Sequence, residues 1–232
     1  MAYFIWHNID SRDVKGLIVT ELPPITKPKM RTQVLTLDGR DGSIITPLGF
    51  EAYKKKIKIG LTKGYDINNL IEWFTGAGQI IFSNEEDKYY NAQITENIDF
   101  EKLLRFKTAT ITFEVQPFKY STTERSKIFD TAGLQSIKIT NAGNYTAKPT
   151  VTINGTGTIN FSVNGTQQFT LELQSQNDSV TLDSAEQEAY DANGLRNRIM
   201  NGNFIILEKG SNTLSWTGSI SSIEIKLFSR WI

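Results

Sequence analysis

The feature that most constrains this chain is a strict period of two in its apolar residues. Between residues 107 and 115, Ala109, Ile111, Phe113 and Val115 fall on one face, and Thr108, Thr110, Thr112 and Glu114 on the other. Successive side chains of a strand point to opposite faces, so this alternation of largely β-branched and aromatic residues predicts a strand buried on one side. Pro117 follows two residues later and has no N–H to donate, which predicts the end of ladder pairing there. The polar run 121–127 then leads into a stretch of different texture. The junction is read as the last strand of one domain and the start of a second, with Pro117, Phe118 and Tyr120 as the expected seam.

A chain of 232 residues with 39% hydrophobic residues can build one large β domain or two modest ones. Lys plus Arg and Asp plus Glu number 25 each, so the chain has no net charge with which to seek a polyanion, and nucleic acid is excluded as a partner. With no cysteine there are no disulfides, no thiolate nucleophile and no cysteine-bound metal, which fits synthesis in a reducing cytoplasm. The N-terminus lacks the pattern of a secretory signal. No window approaches the ~18 apolar residues of a membrane span, so membrane insertion is not expected.

In the first half, residues 3–9 read as an aromatic-rich strand and 16–20 as a second. Pro23, Pro24 and Pro28 make an extended, unpaired connection. Two apolar runs, containing Val34, Leu35, Leu37, Ile44 and Ile45, flank the turn Gly39-Arg40-Asp41-Gly42 and predict a hairpin or arm. Lys54, Lys55, Lys56 and Lys58 alternate with Ile57 and Ile59, so the basic cluster reads as the outer face of a strand and not as a phosphate site. The one clear helix spans about residues 66–75. Asp66 caps it, Ile67, Leu70, Ile71 and Phe74 share a face, and Gly76 stops it.

From Gln135 onward short alternating segments recur, with Asn-Gly steps at Asn154, Asn164, Asn193 and Asn201. Asn-Gly suits tight hairpins because both residues tolerate positive φ, and the pattern predicts an antiparallel β-sandwich. The Asn-x-Ser/Thr triplets at Asn144, Asn154, Asn160, Asn164 and Asn177 carry no weight without a secretory signal. The domains are placed at 1–130 and 131–232, the class as mainly β with two antiparallel sandwiches.

Catalytic signals are missing. His7 is the sole histidine, no nucleophile elbow or phosphate-binding loop accompanies it, and it reads as structural. No metal site or cofactor is expected.

Several motifs taken in order resemble the distal tail protein family of long, non-contractile-tailed phages. They are Gly39-Arg40-Asp41-Gly42, residues 71–76, Lys88-Tyr89-Tyr90-Asn91-Ala92, residues 113–120, Asn141-Ala142-Gly143-Asn144 with Pro149, residues 201–204 and residues 210–218. The resemblance implies a homohexameric ring at the virion tail tip, built by the N-terminal domain. Its partners would be the major tail tube protein on one side and a tail-associated, baseplate or receptor-binding protein on the other. It also implies a galectin-like C-terminal sandwich on the ring's outside. Residues Val34, Leu35, Leu37, Gly39, Arg40, Asp41 and Gly42 then become an expected inter-subunit arm. The competing expectation is a carbohydrate-binding module that stacks sugars on Tyr145, Tyr190 or Trp216, of which Trp216 is the poorest because it alternates with Leu214 into a core.

Overall fold

A computed structural model describes residues 2–131 and 133–232, the side chains of 175–177 excepted, so the Asn177 side chain lies outside the described ones. The protein is mainly β, built of curled antiparallel sheets. Its contacts divide into one unit of Met1–Thr122 with Ile232, and another of Thr123–Trp231.

The first unit begins with β1 (Phe4–Trp6) and β2 (Ile9–Asp10). These form a hairpin and not the single strand expected, because His7 and Asn8 sit at φ 51° and 62°, between the paired Trp6 and Ile9. Two successive positive-φ residues match the right-handed twist of the flanking strands. β3 (Leu17–Glu21), the arm strands β4 (Met30–Leu35) and β5 (Ile44–Phe50), and β6 (Tyr53–Leu61) follow. After α1 (Ile67–Trp73) come β7 (Ala77–Phe82), β8 (Lys88–Gln93), α2 (Phe100–Phe106) and β9 (Thr108–Ser121). The sheet order is β2-β1-β7-β8-β9-β6-β3, all antiparallel.

Helix α1 is capped as expected, with the Asp66 carboxylate accepting from the backbone N–H of Asn68 at 2.9 Å. Its buried face is Leu70, Trp73 and Phe74, while Ile71 is 45% exposed. Trp73 displaces Ile71 because its indole and that of Trp6 exchange bonds: Trp6 Nε1 donates to the Trp73 carbonyl at 2.9 Å and Trp73 Nε1 to the Trp6 carbonyl at 3.1 Å. Phe4 stacks on Trp73 at 5.3 Å. Helix α2 is an addition to the sequence reading. Asp99 caps it at 2.7 Å to Lys102 N–H, and Lys107 ends it in the left-handed region at φ 58°. It buries only Leu103 fully, so it carries no apolar stripe to betray it.

Pro117 does not stop β9. The strand runs on to Ser121 and pairs with β8 on both sides of the proline, Ala92 with Val115 and Tyr90 with Lys119. Asn91 alone faces three residues, Gln116, Pro117 and Phe118, so the proline occupies a bulge where no ladder donor is required. On β9's other edge β6 has already ended its pairing, at Tyr53 opposite Val115.

The second unit contains β10 (Lys127–Asp130), β11 (Ser136–Asn141), β12 (Thr150–Val163), β13 (Thr166–Asp183), β14 (Glu188–Asp191), β15 (Gly194–Leu195), β16 (Met200–Gly202) and β17 (Gly210–Lys226). The long strands β12, β13 and β17 each serve two layers. Thr150–Gly155 of β12 pair with 178–183 of β13 and 220–226 of β17, while its residues 157–163 pair with 166–173 of β13, and 160–163 with 214–217 of β17. Register shifts fall between these halves, at residues 154–160. β10, β14 and β15 complete the first layer, β11 and β16 the second. Val151, Ile153, Val180, Leu182, Ile223 and Ile225 from one layer meet Ile159, Phe161, Phe169, Leu171, Leu214 and Trp216 from the other in one core.

Of the four Asn-Gly steps, only Asn164-Gly165 is a two-residue hairpin turn, with φ 51° and 81° between Val163 and Thr166. Asn154-Gly155 lies at the bend inside β12. A Cβ on Gly155 would sit 2.4 Å from the Ser219 carbonyl, so this glycine serves the close crossing of two backbones. Asn201-Gly202 lies in β16, and Ala192-Asn193 form the turn before Gly194. Residues 203–206 are irregular, and 210–226 form the single strand β17.

Candidate functional site: an exposed hairpin and its anchored root

Strands β4 and β5 form their own two-stranded sheet, pairing Leu35 with Ile44, Val34 with Ile45 and Met30 with Phe50. Every residue from 29 to 49 is exposed. Val34 and Ile45 share one face and Leu35 and Ile44 the other, so both faces of the hairpin carry apolar side chains into solvent; Leu37 and Leu48 are exposed too. Two-stranded hairpins are marginal in water, and clustered exposed aliphatics mark contact surfaces. At the tip Gly39 and Gly42 adopt φ 75° and 79° with open space around them, and Arg40 donates its N–H to the Leu37 carbonyl at 3.2 Å. Arg40 and Asp41 are therefore displayed and not packed.

The root is built differently. Residues 22–29 have no ladder partner, and Pro23 and Pro28 are buried. Three carbonyls of this segment accept side-chain bonds: Pro23 from Asn84 Nδ2 at 2.9 Å, Pro24 from Lys55 Nζ at 3.0 Å and Thr26 from the Tyr53 hydroxyl at 3.5 Å. The Lys29–Glu51 ion pair and the Glu51 N–H bond to the Lys29 carbonyl at 2.8 Å close the base.

Lys55 corrects the sequence reading. Lys54, Lys56 and Lys58 do cover the outer face, but Lys55 shares the parity of Ile57 and Ile59 and is only 2% exposed. Its ammonium lies 4.9 Å from the Tyr90 ring centroid and 5.7 Å from that of Phe82, contacts that favour a cation. Burial nevertheless pushes Lys55 down to about 8, with Glu85 opposing that shift and Lys119 adding to it. Beside it Glu85 accepts from the Tyr90 hydroxyl at 2.5 Å and pairs with Lys119. Burial first, then the Glu85 bond, holds the Tyr90 phenol protonated well above its ordinary range, and burial pushes Tyr53 up to about 12.

The expected seam residues lie in the first unit. Phe118 meets Phe50, at the base of the arm, edge-on at 5.8 Å, and Tyr120 stacks on Tyr89 at 5.4 Å. His7 bonds the Thr75 carbonyl through Nε2 at 3.0 Å and packs on Trp6. Among the described residues no group of His, Cys, Asp or Glu could hold a metal ion, and no helix is long and apolar enough to cross a membrane. Of the aromatics considered for sugars, Trp216 is 4% exposed in the core and Tyr145 lies under the Arg230 guanidinium, whereas Tyr190 is 36% exposed.

No family model and no curated protein matches the sequence. Solved structures match the fold. The crystal structure of the Dit protein of SPP1, described as a paradigm of the hub adsorption apparatus of phages infecting Gram-positive bacteria, aligns with 98% of this chain and 99% of its own, at TM-score 0.74 and 16% identity. The chain has the Dit fold. Chains of the phage P2 baseplate in its activated conformation agree less closely: TM-score 0.54 at 12% identity in the Ca structure and 0.50 at 11% in the Sr structure, each over 97% of both chains. These Dit-like neighbours are phage hub and baseplate proteins.

Proposed function

We propose that this chain is a structural hub of a phage tail tip: a distal tail protein that assembles as a homohexameric ring between the tail tube protein and a baseplate, tail-associated or receptor-binding protein. The observation that carries the reading is the Dit fold over essentially the whole chain, joined to a hairpin whose apolar residues have no cover within the protein. In this reading Val34, Leu35, Leu37, Ile44 and Ile45 are buried against a neighbouring subunit, and the Gly39–Gly42 tip reaches across the ring. A hairpin with free edges and two apolar faces suits strand addition and side-chain burial on a second copy. The role is mechanical, not catalytic.

Electron microscopy of the purified protein tests it. Six-fold rings are expected, and a double variant Val34→Asp/Ile45→Asp is expected to leave monomers of unchanged thermal stability, since those side chains touch solvent in the single chain. A monomeric wild type at micromolar concentration, or rings that persist in the double variant, would refute respectively the hub and the arm.

A further inference from the structure

The outer face of the second unit carries an array that the hub role does not use. Across the ladder, Glu224 of β17 lies opposite Thr152 of β12, Thr152 opposite Thr181 of β13, and Thr181 opposite Tyr190 of β14. The flanking rows are Lys226, Thr150, Asp183 on one side and Ser222, Asn154, Ser179 on the other. Their chain neighbours Val151, Ile153, Val180, Leu182 and Ala189 are buried in the core, so the period of two turns all these polar residues outward. The centre of the face is thus floored by short hydroxyl and amide side chains, with Tyr190 and Phe228 standing at its margins.

Tyr190 forms a wall shared by two open clefts. One, of about 460 Å³, is lined by Asp178, Ser179, Asp191 and Asn193; the other, of about 430 Å³, by Thr150, Thr152, Asp183, Glu224 and Phe228. The strand bearing Tyr190 is held firmly. Arg196 bonds Asp178 at 2.6 and 2.8 Å and Asp191 at 3.2 Å, its N–H meets the Ala189 carbonyl at 2.7 Å, and Asn197 Oδ1 accepts from Ala189 N–H at 2.5 Å. Glu224 is half-buried and, among the described residues, its carboxylate makes neither hydrogen bond nor ion pair.

We infer that this face binds a neutral saccharide, with Tyr190 as the stacking platform. An exposed aromatic ring takes the C–H face of a pyranose, while closely spaced hydroxyls, an amide and a free carboxylate match its ring of hydroxyl groups as donors and acceptors. The charge excludes an acidic sugar or a phosphorylated polymer: Asp178, Asp183, Asp191 and Glu224 line the clefts against Lys226, and Arg196 is already spent on Asp178 and Asp191. Ile128 and Leu195 stand exposed at the two ends of the row, opposite Glu224 and Tyr190, but the centre between them is polar and lacks the apolar area of a desolvated protein-interface core.

The test is saturation-transfer and amide-shift NMR on the full chain with lactose, maltotriose and chitotriose at millimolar concentration. At least one is expected to perturb Thr152, Thr181 and Tyr190. Tyr190→Ala should weaken it roughly tenfold, the size of one good aromatic contact, while Tyr190→Phe stays within about threefold. Glu224→Ala, which removes a side chain with no partner in the fold, should weaken binding without lowering the unfolding midpoint, and so tests the site even if Tyr190→Ala is unstable. No perturbation by any of the three sugars, shifts mapping elsewhere, or unchanged affinity in Tyr190→Ala or Glu224→Ala would overturn the inference. Light scattering on the same samples reads ring assembly separately, so the hub role and the saccharide site can fail independently.

Discussion

The buried Lys55 sets up a measurable pH dependence that runs opposite to the usual alkaline loss of stability. Its ammonium is 2% exposed and its folded-state pKa is about 8, against 10.5 for the free side chain. Between those values the unfolded chain holds a proton that the folded chain has released, so the unfolded state binds more protons and stability rises with pH. The groups facing Lys55 limit the usable window. Tyr53, pushed up to about 12, and Tyr90, held well above its ordinary range, stay protonated when folded and begin to cost stability above pH 10. From pH 8 to 10 Lys55 contributes up to roughly 2.5 kcal/mol, at about 1.4 kcal/mol per pH unit. Lys55→Met replaces the amine by an apolar chain of similar length and loses the bond to the Pro24 carbonyl. Urea unfolding of both proteins at half-unit pH steps checks it: the difference between wild type and Lys55→Met should shift steadily in favour of wild type from pH 8 to 10. Trypsin should also cut faster after Lys29 in the variant, because the root loses one of its three side-chain anchors. Parallel pH profiles for the two proteins would refute the burial argument, and equal cleavage rates the anchoring one.

Three further expectations come from the same geometry. Asp178, drawn down to about 2 chiefly by its bonds to Arg196, contributes stability that is fully present above pH 4 and lost as pH falls to about 2; Arg196→Met should flatten that acid limb of the unfolding curve. Gly218 sits at φ 97° with the Thr158 carbonyl 2.3 Å from where a Cβ would go, so Gly218→Ala should cost about 3 kcal/mol or more, while Gly39→Ala, in open space at φ 75°, should cost about 1 by thermal unfolding. Leu103→Ala should cost about 2–4 kcal/mol by urea unfolding despite the shortness of α2, because Leu103 is fully buried; a loss under about 1 kcal/mol would mean α2 is not packed as described.

What the sequence determined by itself is whatever depends on local period and local backbone chemistry. The alternation at 107–115 is a strand buried on the expected face, Asp66 caps α1, Asn164-Gly165 turns a hairpin, and the apolar runs around Gly39–Gly42 make a two-stranded arm. The family resemblance, carried by short motifs in order, reached the Dit fold that the solved structures bear out. What only the tertiary structure decided is where a local signal meets a distant chain. Pro117 ends a strand only if its N–H is needed, and a bulge opposite Asn91 removes the need. Lys55 looks like its lysine neighbours until parity and the Pro24 carbonyl turn it inward. Gly155 reads as a turn residue, but the crossing of β12 and β17 makes it, with Gly218, the hinge on which each long strand serves two layers. The row from Glu224 to Tyr190 draws on four strands spread over 72 positions of sequence, from Thr152 to Glu224. No period within any one strand encodes that row, because register between strands is set by the packing of the core beneath it.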